Sequence, residues 1–188
     1  MKMNLPNRLT VLRILLVPVF VLFMLWQSIP AAPLIALGIF VVASITDYTD
    51  GKIARKWNMI TDFGKFLDPI ADKILVLSAM ICMIPSGLCS PVVVIIVIAR
   101  EFLISSLRLV AASRGVVIAA GRSGKLKTIS QMLSIILILI LESILFVTGF
   151  DLCTHTISNI LMWISCAITV FSGAEYLFRN KNFIDPEK

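Results

Sequence analysis

The sequence predicts an all-α integral membrane protein with six transmembrane helices. Of its 188 residues, 59% are hydrophobic and only 15% are charged, whereas roughly a quarter are charged in an ordinary soluble domain. A helix that spans a bilayer needs about 20 mostly apolar residues, so the chain can hold six spans with short loops as one domain over residues 1–188. This composition excludes a disordered chain, a disulfide-stapled secreted domain and an ordinary soluble enzyme.

Six apolar stretches follow one another along the chain. The second is short and reaches the length of a span only if its helix continues through Asp47 to Arg55, beyond the hydrocarbon. Turn-forming residues separate several of the stretches, as in Pro85-Ser86-Gly87 and Thr148-Gly149. Hydrophobic patterning places the six spans at about 10–26, 33–46, 67–84, 91–110, 126–146 and 157–178.

The loops alternate in charge and so predict the topology. Loops 27–32 and 85–90 carry no charged residue, and 149–156 carries only Asp151. Because basic residues concentrate on the cytoplasmic side, both termini are predicted to be cytoplasmic, with an interfacial segment at 1–9 and a tail at 179–188. The net charge of +6 then reports topology and contact with anionic membrane lipids, and no nucleic acid partner is expected. The basic residues of this side are Lys2, Arg8, Lys52, Arg55, Lys56, Lys65, Arg114, Arg122, Lys125, Lys127, Arg179, Lys181 and Lys188.

Four carboxylates lie at helical spacing between residues 47 and 72. Asp47 and Asp50 share one helical face with Gly51 and Ala54, and a second helix after a short loop places Gly64, Asp68 and Asp72 on one face. We expect the two helices to be antiparallel neighbours whose acidic faces meet. A solvated or salt-bridged face is the alternative for any single aspartate, and Asp62, off these faces, is interpreted in that way.

Divalent cations would remove the mutual repulsion of these four carboxylates. Hard oxygen ligands suit Mg²⁺ or Mn²⁺, and four carboxylates suffice for two divalent ions, a common arrangement in phosphoryl chemistry. Gly51, Ala54 and Gly64 would let a phosphate-bearing ligand approach the backbone, and Arg55 would offer its guanidinium to phosphate oxygens. Ionisable residues in or beside a span, such as Asp68 and Asp72, are costly and usually functional.

A second, basic cluster follows in the fourth and fifth spans. Arg100 and Arg108 lie about 80° apart on a helical wheel, so both can face one cavity and form an anion pocket. Glu101 and Arg108 are nearly eclipsed, so an ion pair between them is an alternative, whereas Arg100 has no obvious partner in its own helix. Lys125 and Lys127 are nearly opposite on a helix, so only one can face a shared pocket.

The first helix carries a polar beginning. Asn7, Thr10 and Arg13 could cap this helix and touch the same pocket, or they could anchor the helix at the lipid headgroups. We assign Asn7 to the predicted ligand-binding set on the first of these two interpretations.

Residues 47–72 fit the pattern D-x2-D-G-x2-A-R-x8-G-x3-D-x3-D without a departure, which resembles the signature of the CDP-alcohol phosphatidyltransferase family. The segments N-L-P-N-R-L-T-V-L-R-I, A-R-E-F-L-I-S-S-L-R and G-K-L-K-T resemble the bacterial branch that uses glycerol 3-phosphate. The resemblance implies transfer of a phosphatidyl group from CDP-diacylglycerol to sn-glycerol 3-phosphate, with release of CMP. It also implies a homodimer in the cytoplasmic membrane with an active site that faces the cytoplasm.

The resemblance assigns a role to each matching position. The implied metal ligands are Asp47, Asp50, Asp68 and Asp72, and Asp72 is also the implied general base. The implied CDP-diacylglycerol contacts, to which Asn7 is added, are Gly51, Ala54, Arg55, Thr61 and Gly64. The implied pocket for the acceptor phosphate comprises Arg100, Arg108 and Lys125.

Two alternatives remain open from the sequence. The same chemistry could use another acceptor, namely inositol phosphate, serine or phosphatidylglycerol, although the basic cluster argues against an uncharged one. A divalent-metal transporter would also place carboxylates in a membrane. A transporter usually shows a midplane ion pathway with broken helices or repeats, whereas these carboxylates cluster near one face.

Overall fold

Six α-helices make up the fold of the described residues. The structure is a computed structural model that describes residues 4–26, 29, 31–56, 62–116, 118 and 121–181, and it describes only the backbone at 5–6, 47–56, 62–66 and 68–69. No β-strand occurs in these ranges. The helices are α1 (Leu5–Leu25), α2 (Ala32–Lys56), α3 (Asp62–Cys82), α4 (Pro91–Ser113), α5 (Arg122–Thr148) and α6 (Thr154–Arg179).

Each predicted apolar stretch lies within one helix, apart from one or two residues at a few ends. The predicted continuation of the second span is confirmed, because α2 runs on through Asp47 and Arg55 to Lys56. The helices are 21 to 27 residues long, which corresponds to about 32–40 Å and exceeds the roughly 30 Å of a bilayer's hydrocarbon core. The segment from Leu5 onward belongs to α1 itself, and its place at the membrane interface stays a prediction.

Local chemistry explains where several helices begin and end. The Ser90 hydroxyl caps α4 by accepting a hydrogen bond from the Val92 amide at 3.3 Å, and Pro91 occupies the first turn, where its missing N–H costs nothing. Gly149 ends α5 with a φ of +68°, a left-handed conformation that favours glycine. The Asp151 carboxylate accepts the Thr154 amide at 2.9 Å where α6 begins.

Helix packing brings the chain together in two connected groups. α1 packs against α2 and α3, while α5 packs against α6 and α2, and α4 packs mainly against α6. The core contains aromatic and small side chains: Phe20 and Phe40 are fully buried with ring centroids 5.7 Å apart, and Ala36 and Ala43 let α2 approach its neighbours closely. This arrangement places α4, α5 and α6 around the basic cluster.

The outer surface of the helices is apolar, as expected for contact with lipid. Leu15, Ile95 and Phe171 are each at least 60% exposed. Three helical segments, Asn7–Leu25, Arg122–Thr148 and Thr154–Arg179, are long and apolar enough to cross a membrane, with mean hydropathies of 2.2, 2.3 and 1.6. The chain is therefore a multi-pass membrane protein. That all six helices cross the membrane, and that both termini are cytoplasmic, stay predictions.

Candidate active site

The four aspartates occupy two helices. Asp47 and Asp50 lie in the second half of α2, and Asp68 and Asp72 lie in the first half of α3, so the helical spacing is confirmed. The side chains of Asp47, Asp50 and Asp68 are outside the described residues, and their role as metal ligands stays a prediction. Among the side chains that are described, no group of three His, Cys, Asp or Glu residues could hold a metal ion.

The two acidic helices are related through α1. In the described structure α2 and α3 contact each other, and each packs extensively against α1. The predicted meeting of their acidic faces involves side chains outside the described residues and stays a prediction. Asn7, Thr10 and Arg13 of α1 are buried, with 7%, 1% and 0% of their surface exposed, and each has an interaction partner. Since α1 packs against α2 and α3, this polar face lies inside the helix bundle, which favours a role at the site over anchoring at headgroups.

The predicted CDP-diacylglycerol contacts lie mostly along the ends of α2 and α3. The backbones of Gly51, Ala54 and Arg55 belong to the last turns of α2, and that of Gly64 belongs to the first turn of α3. Thr61 is outside the described residues. Their contacts with a nucleotide therefore stay predictions.

Asp72 is the one proposed metal ligand whose side chain is described, and it lines a small cavity together with both charged and apolar side chains. The side chain is half-buried, and Lys127 of α5 lies within electrostatic range. A carboxylate at the edge of this cavity has the donor chemistry that Mg²⁺ or Mn²⁺ requires, so Asp72 fits the expected ion. The cavity has a volume of about 10 Å³, roughly the space that the centre of a single water molecule needs, and is lined by Asp72, Lys73, Val76, Leu77, Val97, Glu101, Lys127, Thr128 and Gln131.

Glu101 is the buried anion of the basic cluster. Its Oε1 accepts hydrogen bonds from Arg100 Nη1 at 2.9 Å and from Lys127 Nζ at 2.6 Å, and only 7% of the residue is exposed. The alternative prediction of an ion pair between Glu101 and Arg108 is wrong, because the Glu101 carboxylate binds Arg100 and Lys127 instead. The expectation that Arg100 lacks a partner in its own helix is also wrong, since the adjacent carboxylate binds it.

Arg100 is additionally held by α6. Its Nη2 donates a hydrogen bond to Ser172 Oγ at 3.0 Å. Gly173 leaves space for the arginine, because a Cβ at this glycine would lie 3.0 Å from Arg100 Cγ. The Arg100 guanidinium thus joins α4 to α6, so α6 contributes to the basic cluster even though no residue of α6 was predicted at the site.

Lys73 extends the network from α3 to α4. Its Nζ donates to Ser105 Oγ, and that hydroxyl donates to the Glu101 backbone oxygen at 2.7 Å. Lys73 follows Asp72 directly, so the contact ties the aspartate's turn of α3 to α4. The lysine is therefore bound within the protein, and this contact disfavours extension of its amine to the membrane surface.

Arg108 lies two turns further along α4 and has a different environment. The residue is exposed, its Nε donates to the Tyr176 hydroxyl at 3.1 Å, and its guanidinium carbon is 5.4 Å from the centre of the Tyr176 ring. This distance is within the range of a cation–π interaction. Arg100 and Arg108 are both directed by α6, but only Arg108 stands at the surface.

The two lysines near the start of α5 face opposite directions, as the helical wheel predicted. Lys127 is 7% exposed and borders the cavity with Asp72, whereas Lys125 is exposed. The assignment of Lys125 to the acceptor phosphate stays a prediction. Sequence reasoning did not assign Lys127 or Glu101 to the site, although a charged residue inside an apolar span was the signal that could have identified both.

Comparisons with known proteins show the family to which the chain belongs. The model of the family described as CDP-alcohol phosphatidyltransferase matches residues 3–171. The chain belongs to the CDP-alcohol phosphatidyltransferase family. The match covers all six helices except the end of α6. The chain is therefore a membrane transferase of phospholipid synthesis.

Several relatives of this phosphatidyltransferase carry a more specific name. The CDP-diacylglycerol–glycerol-3-phosphate 3-phosphatidyltransferase of Bacillus subtilis is 41% identical, over 94% of this chain and 95% of the relative. The protein of the same name from Rickettsia typhi is 37% identical, over 96% and 98%. A probable phosphatidylglycerophosphate synthase of Mycobacterium tuberculosis is 39% identical, over 94% and 81%.

Proposed function

We propose that this protein transfers the phosphatidyl group of CDP-diacylglycerol to sn-glycerol 3-phosphate and releases CMP. The observation that carries the proposal is the placement of Asp72 on α3 in one cavity with Glu101 of α4 and the buried Lys127 of α5, in a chain of this family. The names of relatives that align over nearly their whole length favour this acceptor over inositol phosphate, serine or phosphatidylglycerol. Because the chain belongs to a family of transferases, the alternative of a divalent-metal transporter is also disfavoured.

The reaction requires one bond to form and one to break. The sn-1 hydroxyl oxygen of the acceptor attacks the β-phosphorus of CDP-diacylglycerol, the phosphorus that carries the diacylglycerol group. The bond from that phosphorus to the bridging pyrophosphate oxygen breaks, and CMP leaves with the electron pair. Asp72 accepts the hydroxyl proton as general base. The products are phosphatidylglycerophosphate and CMP.

The chain's own residues would bind and orient the two substrates. Two divalent ions, Mg²⁺ or Mn²⁺, would be held by Asp47, Asp50, Asp68 and Asp72, and when bound they supply positive charge to the pyrophosphate oxygens. The nucleotide would lie along Gly51, Ala54, Arg55, Thr61 and Gly64, with Asn7 contributing from α1. Gly51, Ala54 and Gly64 are small and would let the pyrophosphate approach the helix backbone.

The acceptor's phosphate would bind to the basic cluster. Arg108 is exposed and can present a planar guanidinium to phosphate oxygens, which arginine binds in a bidentate manner. Arg100 and Lys125 complete the proposed set. Because Glu101 neutralises part of the charge of Arg100, we expect Arg108 to contribute more to binding the phosphate than Arg100 does.

We also propose the cellular arrangement. The site would open to the cytoplasmic leaflet of the cell membrane, because the basic ends of the helices surround it. The acyl chains of the lipid substrate would remain in the bilayer. The protein would act as a homodimer, as the family resemblance implies.

The decisive experiment measures CMP release by the purified full-length protein in detergent micelles containing CDP-diacylglycerol. We expect release to depend on glycerol 3-phosphate, to stop with EDTA and to return with excess Mg²⁺ or Mn²⁺. The test includes inositol phosphate, serine and phosphatidylglycerol as separate acceptors. Faster release with any of these would contradict the proposed acceptor.

The role of Asp72 needs a matched pair of variants. Asp72→Asn preserves the size of the side chain but removes its basicity, so turnover should fall by at least about a hundredfold, the contribution of a general base. Asp62→Asn removes an aspartate at the start of α3 that has no proposed role, and should retain activity. Near-normal turnover by Asp72→Asn, with a normal elution volume, would refute the assignment.

A further inference from the structure

The C-terminal half of α6 supplies a hydroxyl to each arginine of the basic cluster. Ser172 Oγ accepts from Arg100, and one turn later the Tyr176 hydroxyl accepts from Arg108. Both hydroxyl residues lie beyond the part of the chain that matches the family model, which ends at residue 171. This stretch of α6 therefore contacts both arginines of the proposed acceptor site through hydroxyl groups.

Tyr176 is fixed in place before it contacts Arg108. The residue is only 8% exposed and packs against Ile104 and Leu107 of α4 in a small apolar cluster. A ring held on one side by apolar side chains has few orientations available to it. Its hydroxyl and one face of its ring therefore have fixed positions, and they can hold the longer, more flexible side chain of Arg108.

Arg108 is held by Tyr176 at Nε, the guanidinium nitrogen nearest to the backbone. The tyrosine hydroxyl accepts from Nε at 3.1 Å, and the guanidinium carbon lies 5.4 Å from the ring centre. The described part of the chain gives Arg108 no carboxylate partner. The two outer nitrogens, Nη1 and Nη2, therefore keep their donors for a ligand. A guanidinium held at Nε loses less side-chain entropy when it binds a planar pair of oxygens.

We propose that Tyr176 is a positioning residue for the acceptor: it orients Arg108 so that the outer guanidinium nitrogens bind the acceptor's phosphate. The inference rests on the proposed function, because it requires Arg108 to contact that phosphate. Tyr176 itself does not touch the reacting atoms. It acts through Arg108 on the affinity for a phosphorylated alcohol and leaves the attack on the β-phosphorus unchanged.

The test separates the hydroxyl of Tyr176 from its packing. Tyr176→Phe removes the acceptor of the Nε hydrogen bond and keeps the ring, so the protein should fold normally. A hydrogen bond of this kind is worth roughly a five- to tenfold change in affinity. We expect KM for glycerol 3-phosphate to rise by about that factor, with kcat within about twofold and KM for CDP-diacylglycerol unchanged.

A double-mutant cycle shows whether the effect passes through Arg108. With Arg108→Ala in place, Tyr176→Phe should no longer change KM for glycerol 3-phosphate, because residues that act as a unit are not additive. Ser172→Ala is the matched control. It removes a hydroxyl one turn away that accepts from Arg100, so its effect on KM should persist in the Arg108→Ala background.

The possible results distinguish this inference from the proposed function. If Arg108→Ala raises KM for glycerol 3-phosphate and Tyr176→Phe does not, the positioning role is overturned and the acceptor site stands. If Tyr176→Phe raises KM equally with and without Arg108, it acts by another route and the inference is overturned. If Arg108→Ala leaves this KM unchanged, the proposed acceptor contact fails, and the inference fails with it.

Discussion

Replacing Glu101 with glutamine should be one of the most destabilising single substitutions of a non-catalytic residue in this protein. The glutamine has nearly the same size and keeps one acceptor oxygen, but it removes the only negative charge that contacts Arg100 and Lys127 in the described structure. Both cations then remain in a site where only 7% of residue 101 is exposed. Breaking a buried pair by removing one partner typically costs about 3–5 kcal/mol.

The lower end of that range is the better expectation for Glu101→Gln. Arg100 retains its hydrogen bond to Ser172 at 3.0 Å, so it does not lose every partner. Lys127 loses the negative charge in the shorter of the two contacts, at 2.6 Å, and is itself only 7% exposed. We therefore expect the free energy of unfolding to fall by about 3 kcal/mol, chiefly through Lys127.

The assay is reversible unfolding in mixed micelles, with SDS as the denaturant and far-UV circular dichroism as the measure of helix. Glu175→Gln is the control. Glu175 pairs with Arg179 at 2.6 Å, but the two side chains are 28% and 72% exposed. A pair that is open to solvent contributes about 1 kcal/mol at most. The control therefore removes the same kind of contact from a solvated setting.

A second variant tests the physical cause. Lys127→Met should also destabilise the protein, because it leaves Glu101 with one cation fewer. The double variant Glu101→Gln/Lys127→Met removes both charges, so its loss should be smaller than the sum of the single losses by at least about 1 kcal/mol. Additive losses, or a Glu101→Gln protein within about 0.5 kcal/mol of the parent, would refute the reasoning.

Three further predictions concern the outer loops and the contact between α4 and α6. Cys153 is exposed before α6, so a membrane-impermeant maleimide should label it on intact cells, and labelling only after permeabilisation would contradict the predicted topology. Cys89 should stay unlabelled up to about pH 9, because burial, and secondarily the nearby Cys166, raise the pKa of its thiol to about 11, and only the thiolate reacts. Gly173→Ala should cost about 1 kcal/mol and raise KM for the acceptor, since its Cβ would approach Arg100 to 3.0 Å. Gly38→Ala, with open space around it, should leave stability equal or better by up to about 1 kcal/mol; a larger loss there than at Gly173 would contradict the packing argument.

Relationships within a single helix could be worked out from the sequence. The continuation of α2 beyond its apolar stretch followed from the need for a full-length span, and the helix extends to Lys56. The opposite orientations of Lys125 and Lys127 followed from the 100° step between successive residues. The wheel did not indicate which of the two faces inward.

Contacts between helices could not be worked out from the sequence in the same way. The helical wheel offered Arg108 as the partner of Glu101, yet the carboxylate binds Arg100 beside it and Lys127 from α5. The sequence also left open what the polar face of α1 contacts, and α1 packs against both α2 and α3. In each case several partners satisfied the local geometry, and only the positions of other helices selected one of them.

The sequence by itself determined the membrane class, the six helices and the spacing of the aspartates. These properties follow from composition and from the fixed rise and rotation of an α-helix, so they require no knowledge of neighbours. The tertiary structure decided that Lys127 borders the cavity beside Asp72, that Glu101 is the buried counter-ion and that Tyr176 contacts Arg108. Those contacts depend on the rotation of each helix about its axis, which packing of the whole bundle sets and no single segment encodes.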